Sequence, residues 1–258
     1  MHAVVVAVAL VGALATPARA EPADLVARPL VLARHEVEAN LTLEVNLRAR
    51  SIGVPLSLAP DLWVGVTPRL TLGLIHGNRS LDQIDVGGSL CLRGNDQVCD
   101  ATYQGSGIDA RYAWRDDVAP RVRLVLRDLD PAKPALTAGA LARWQRGRFA
   151  ITSDPYLRLG LANRDEGNRD ALVVPLWLAV QPVERWLVAL HTGWNSELAV
   201  IRDGWHVPLG VATTVRPWRR LEVSAELGFV SLLGPQNQFQ DRALLVTIGW
   251  TQAVSSWP

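Results

Sequence analysis

The sequence predicts an all-β chain, a closed antiparallel up-and-down transmembrane β-barrel of about twelve strands, and three observations carry that expectation. Apolar and polar residues alternate with period two in segment after segment, as they do in a strand with one apolar and one polar face. Short turns alternate with longer connections rich in Gly, Asn and Asp, the asymmetry that membrane-crossing barrels show between their two ends. Tryptophans gather at strand ends on the apolar parity, where the ring meets acyl chain and the indole N–H meets water.

The first residues point to export. Val4 to Leu14 form a short apolar run, and Thr16-Pro17-Ala18-Arg19-Ala20 has the small-x-small pattern that signal peptidase reads. Residues 1–20 are therefore expected to be a signal peptide cleaved near Ala20, although Met1-His2-Ala3 ahead of the run carries no Lys or Arg. After Ala20 no apolar run approaches the roughly 18 to 20 residues that a transmembrane helix needs. Residues 21–34 read as a periplasmic N-terminal linker, 35–251 as the outer-membrane barrel and 252–258 as a C-terminal tail.

The first strand is the clearest. Val37, Ala39, Leu41, Leu43, Val45 and Leu47 interleave with Glu36, Glu38, Asn40, Thr42, Glu44 and Asn46, a run long enough to cross a bilayer at barrel tilt. Val54 to Val66 forms the second, containing Pro60-Asp61, and Thr67-Pro68-Arg69 turns into a third that carries Leu70, Leu72 and Leu74 on one face. A polar stretch from 77 to 106 follows, read as a long external loop. Ile108, Ala110, Tyr112 and Trp114 then mark a fourth strand, and Val122, Leu124 and Leu126 set against Arg121, Arg123 and Arg127 mark a fifth. Weaker alternation covers Leu136 to Trp144 and Arg148 to Leu161. The hairpins Ala171 to Gln181 with Trp186 to Trp194, and Trp205 to Arg216 with Leu221 to Phe229, come next, and Arg242 to Thr251 closes the series. An even strand number with both termini at the short-turn end places those turns in the periplasm.

Trp114, Trp144, Trp186 and Trp250 fall at the short-turn end and Trp194 and Trp205 at the other, forming an aromatic girdle. Trp63 departs from the pattern, because it has inward parity unless Pro60-Asp61 makes a bulge. Cys91 and Cys99 lie in a polar stretch and read as a local disulfide pinning the long loop. The formal net charge of +1, with Lys133 as the single lysine, marks no nucleic-acid partner.

Val54-Pro55-Leu56-Ser57-Leu58 with Gly65-Val66-Thr67-Pro68-Arg69-Leu70-Thr71-Leu72-Gly73-Leu74 resembles a hairpin of exported outer-membrane barrel proteins of Gram-negative bacteria, small and porin-like. Val207 to Val211 with Val215 to Val223 looks like a second copy. The resemblance implies fold and outer-membrane location, and it carries no activity. The tail after Thr251 departs from the terminal aromatic that most such barrels have.

With the apolar parity turned to lipid, charged residues line the lumen in two groups. Glu36, Glu38, Glu44, Glu222 and Glu226 form an acidic wall, and Arg111, Arg115, Arg121, Arg123, Arg127, Arg143, Arg148 and Arg158 form a basic wall roughly opposite. Either water separates the walls, giving a narrow porin-like channel for ions or small polar solutes, or the side chains fill the lumen and pair. The second case is a structural or surface-interaction barrel acting through its external loops. A lipid hydrolase would need His191 and Ser196 on the lipid face, but His191 has inward parity and reads as a solvated loop-side residue, with no group spaced to orient it. No enzyme, metal or cofactor is expected, and the partners are outer-membrane lipid and small polar solutes or ions.

Overall fold

The computed structural model describes residues 25–76, 90–94, 99, 102–235 and 237–254. The expected signal peptide, most of the long loop and the end of the tail lie outside the described residues. The chain forms fourteen strand segments: β1 (Glu36–Asn46), β2 (Leu56–Thr67), β3 (Leu70–Ile75), β4 (Leu90–Arg93), β5 (Ser106–Tyr112), β6 (Val118–Leu129), β7 (Ala132–Arg146), β8 (Phe149–Ser153), β9 (Tyr156–Gly160), β10 (Ala171–Val183), β11 (Trp186–Glu197), β12 (Trp205–Trp218), β13 (Leu221–Leu233) and β14 (Gln238–Ala253). Each pairs antiparallel with its neighbours, and β1 pairs both with β2 and with β14, so the sheet closes on itself as a twelve-strand barrel.

Fourteen segments make twelve staves because two staves are interrupted. β8 and β9 both bridge β7 and β10, and the break falls at Asp154-Pro155, where proline has no N–H to give to the ladder. β3 is short and leaves the upper edge of β2 open; β4 occupies it, pairing Leu56 with Arg93 and Leu58 with Leu90. The span 77–106, expected as one loop, therefore contains a strand, because the alternating Leu90-Cys91-Leu92 finds an unpaired edge. Cys91 and Cys99 form the expected disulfide with Cα atoms 5.5 Å apart, a normal span for that bond.

Parity runs as the sequence indicates. Leu41, Leu62, Ile108, Leu124, Val211 and Ile248 face outward and are 43 to 59% exposed, a continuous apolar band that water would not favour. Trp114, Trp144, Trp218 and Trp250 stand exposed at the short-turn end, while Trp186 is half-buried and donates its N–H to Thr213. Trp194 and Trp205 are half-buried at the other end. Leu124→Arg, at the middle of β6 and on this band, is expected to destabilise the barrel in lipid by about 2 to 4 kcal/mol. Unfolding in urea from liposomes checks it; an unchanged midpoint would mean that this face does not meet hydrocarbon.

Candidate functional site

The inward face is the place to look for function, and its least solvent-exposed level lies near mid-strand. Glu44 on β1, Asp109 on β5, Arg123 on β6, Asp154 between β8 and β9, His191 on β11, Glu226 on β13 and Leu245 on β14 are each at most 1% exposed. Buried charge is tolerated only when paired and hydrogen-bonded, and the pairing here is dense. Asp109 accepts from Trp63 Nε1 at 2.9 Å, Arg111 Nε at 2.7 Å and Arg121 Nε at 2.7 Å. Arg121 Nη1 reaches Asp154 at 2.5 Å, and Arg123 also pairs with Asp154. Arg111 Cζ lies 5.0 Å from the Trp63 ring centroid and Arg123 Cζ 4.9 Å from that of Tyr156, both within cation–π range.

Trp63 keeps its inward parity. The β1–β2 register runs without a shift from Val37↔Val64 to Val45↔Leu56, so Pro60-Asp61 makes no bulge. The indole fits because Gly73 is opposite: a Cβ there would stand 2.2 Å from Trp63 Cδ1. On the far side of the belt Ser57 donates to Glu44 at 3.1 Å. His191 Nδ1 lies 2.5 Å from Glu226 Oε1, and its ring stacks on Trp177 with centroids 4.4 Å apart. His191 is therefore a buried lumen residue rather than a solvated one near a loop. Ser196 turns its hydroxyl to the Glu197 carbonyl at 3.3 Å. Neither residue faces lipid.

The residues expected as a periplasmic linker run across the inside of the barrel mouth at the short-turn end. Leu25 N and Val26 N both donate to Gln181 Oε1 on β10 at 3.0 Å. Arg28 then bridges to Glu222 at 3.0 Å and Glu38 at 3.3 Å, and Arg143 donates to the Arg28 carbonyl. Burial works against the Arg28 charge, but the Glu38 and Glu222 carboxylates outweigh it and hold the guanidinium pKa above its ordinary value. Leu32 N donates to Thr71 Oγ1 at 2.8 Å, and the Leu32 side chain packs against the buried cluster of Trp63, Ile75, Val125 and Ala135. At Gly65 the crossing chain comes so close that a Cβ would lie 1.9 Å from the Ala33 oxygen. Polar inward groups that no strand neighbour satisfies thus find backbone partners on this segment, which no alternation in residues 21–34 announces.

The two opposing walls resolve into three levels. Arg121, Arg123 and Arg111 share the mid-level belt with Asp109 and Asp154 on their own side, because a buried guanidinium needs its counter-charge within a few ångströms. At the short-turn end, Glu36 caps Ala33 N, Glu38 and Glu222 hold Arg28, and Arg216 also pairs with Glu222. Arg143 and Arg148 bond to backbone carbonyls at that same end, while Arg115 pairs with Asp117 in the turn and is 67% exposed rather than luminal. Arg127 and Arg158 stand at the long-loop end.

Cavities lie on both sides of the belt. At the long-loop end one of about 460 Å³ is lined by Arg158, Asn195, His206 and Gln238 among others. Toward the short turns lie one of about 280 Å³ beside Arg28, Glu38 and Arg111 and one of about 400 Å³ between the crossing segment and Trp177. Among the described residues no three His, Cys, Asp or Glu side chains gather as a metal site.

No family profile and no curated protein matches the chain in sequence. Solved structures that it resembles in shape include a "KdgM porin", at 7% identity over 83% of this chain and 98% of that one with a TM-score of 0.48. A "CymD monoaromatic hydrocarbon channel" gives 9% identity over 86% and 90%, with a TM-score of 0.44. The translocator domain of the autotransporter NalP from Neisseria meningitidis gives 8% over 85% and 88%, again at 0.44. Scores of this size add nothing to what strand pairing and burial establish.

Proposed function

We propose that the protein is a non-enzymatic outer-membrane barrel that is shut at rest and meets its surroundings through the cavity and connections at the long-loop end. The observation that supports this reading is the belt: Glu44, Asp109, Arg123, Asp154 and Glu226, from opposite parts of the ring, are each at most 1% exposed near mid-height, as expected where side chains fill a narrow lumen. The membrane assignment rests on the exposed apolar band and its tryptophans. Protein refolded into a planar bilayer is expected to leave it sealed while running as a folded, heat-modifiable species on a gel; steady conductance from that species would overturn the reading.

A second reading, the narrow channel for ions or small polar solutes, is favoured by the polar cavities on both sides of the belt. It requires the belt to rearrange. In that case neutralising Arg121, Arg123 and Arg127 shifts ion selectivity toward cations.

A further inference from the structure

The short-turn end carries a charge pattern that neither sealing nor conduction explains. Every short turn among the described residues holds an exposed arginine: Arg69 at the β2–β3 turn, Arg115 at β5–β6, Arg146 at β7–β8, Arg185 at β10–β11, and both Arg219 and Arg220 at β12–β13. Arg115 has the exposed Asp117 within ion-pair distance, and the other five guanidinium groups have no carboxylate there among the described residues. Asp116, Asp117 and Glu184 are the exposed acids of these turns, half as many as the arginines, so the ring keeps a positive excess. The inward carboxylates of Glu38 and Glu222 at this end are taken by Arg28 and Arg216. The long-loop end is built differently, since its cations are matched: Lys133 pairs with Asp128 at 2.9 Å, Arg164 with Asp170 at 3.0 Å and Arg169 with Glu197 at 2.8 Å.

The height of the ring says what it meets. Trp114 and Trp218 directly precede Arg115 and Arg219, and Trp144 precedes Arg146 by two residues. Tyr112 opposes Leu70, next to Arg69, and Trp250 opposes Leu221, next to Arg220. All five aromatic side chains are exposed. Two residues of strand span about 7 Å, within reach of an arginine side chain, so a guanidinium beside an interfacial ring stands at the level of lipid phosphates. We infer that the ring is a binding surface for anionic phospholipid headgroups in the leaflet on the short-turn side. Each guanidinium fork pairs with a phosphate, and acidic lipid gathers around that end of the barrel. A soluble acidic protein would need its contacts collected on one side, whereas these arginines are spread round the whole circumference.

The inference rests on the barrel standing in a membrane, and the test separates the two. Protein carrying Trp194→Phe and Trp205→Phe, whose tryptophans outside the lumen then lie at the short-turn end among the described residues, is refolded into phosphatidylcholine vesicles. Quenching of its fluorescence by chain-brominated phosphatidylglycerol is compared with quenching by chain-brominated phosphatidylcholine. Phosphatidylglycerol is expected to be preferred about fivefold at low salt, the factor that one basic side chain contributes beside an anionic surface, and the preference should shrink at high salt. Changing all six arginines to Gln should bring the preference to unity. Arg146→Gln/Arg185→Gln/Arg219→Gln, which serves alone if the larger variant does not fold, should lower it to about twofold. Arg50→Gln/Arg202→Gln removes exposed charge at the long-loop end and should leave it unchanged. The inference falls if the two lipids quench equally, which would leave the ring to a soluble acidic partner, if the preference survives loss of the arginines, or if Arg50→Gln/Arg202→Gln lowers it as much as the triple variant. Insertion without preference removes the inference alone, whereas a chain that inserts into neither lipid removes the membrane reading with it.

Discussion

Asp109→Asn is expected to cost the folded barrel about 3 to 5 kcal/mol, the penalty for leaving buried charge without its partner. Asparagine keeps the shape but not the charge, so Arg111 loses its direct counter-ion, while Arg121 and Arg123 each lose one of two and must share Asp154. Water cannot compensate, since Asp109 has no exposed surface. The exposed Arg115–Asp117 pair is the internal control: Asp117→Asn should change stability by less than about 1 kcal/mol, because solvent screens that pair. Urea titration with intrinsic tryptophan fluorescence reads both. Equal midpoints for the two variants would show that water reaches the belt.

Changing Asp109, Arg121, Arg123 and Asp154 together to alanine has the opposite character. Two charges of each sign leave at once, so most of the orphan-charge penalty is avoided, with only the partly exposed Arg111 losing its carboxylate, and the belt loses its bulk beside β6. The expected result is a barrel that still shows heat-modifiable mobility and now conducts steadily in a planar bilayer. Deleting residues 25–34 alone should leave the bilayer sealed, because the belt persists without the crossing segment. If that deletion conducts and the alanine variant does not, the constriction is the segment and not the belt.

What was legible in the sequence follows from the range of the forces involved. Period-two alternation is a local property of the chain, so strand number and lumen parity could be read residue by residue, and even Trp63 kept the parity it had on paper. Parity does not give height along the barrel axis, and for that reason charges on one face looked like two walls when they occupy three levels. Asp154 carries no parity signal, because it sits at a strand break before Pro155, where alternation is weakest. Residues 25–34 have no period at all. Their course depends on Gln181, Glu222 and Thr71, which are distant in the chain, and only the closed ring brings those side chains together.

The seam that closes the ring joins the two ends of the chain, Glu36 opposite Ala253 and Asn46 opposite Ala243. Every other stave is joined to a neighbour in sequence and can zip up hairpin by hairpin from short-range contacts, whereas this pairing must wait for nearly the whole polypeptide. Until it forms, two long strand edges stay bare. A chain cut within β14 would therefore not settle as a smaller barrel; it would keep those edges open and present a template on which neighbouring chains add strands, so truncation here should appear as aggregation rather than as loss of a single stave.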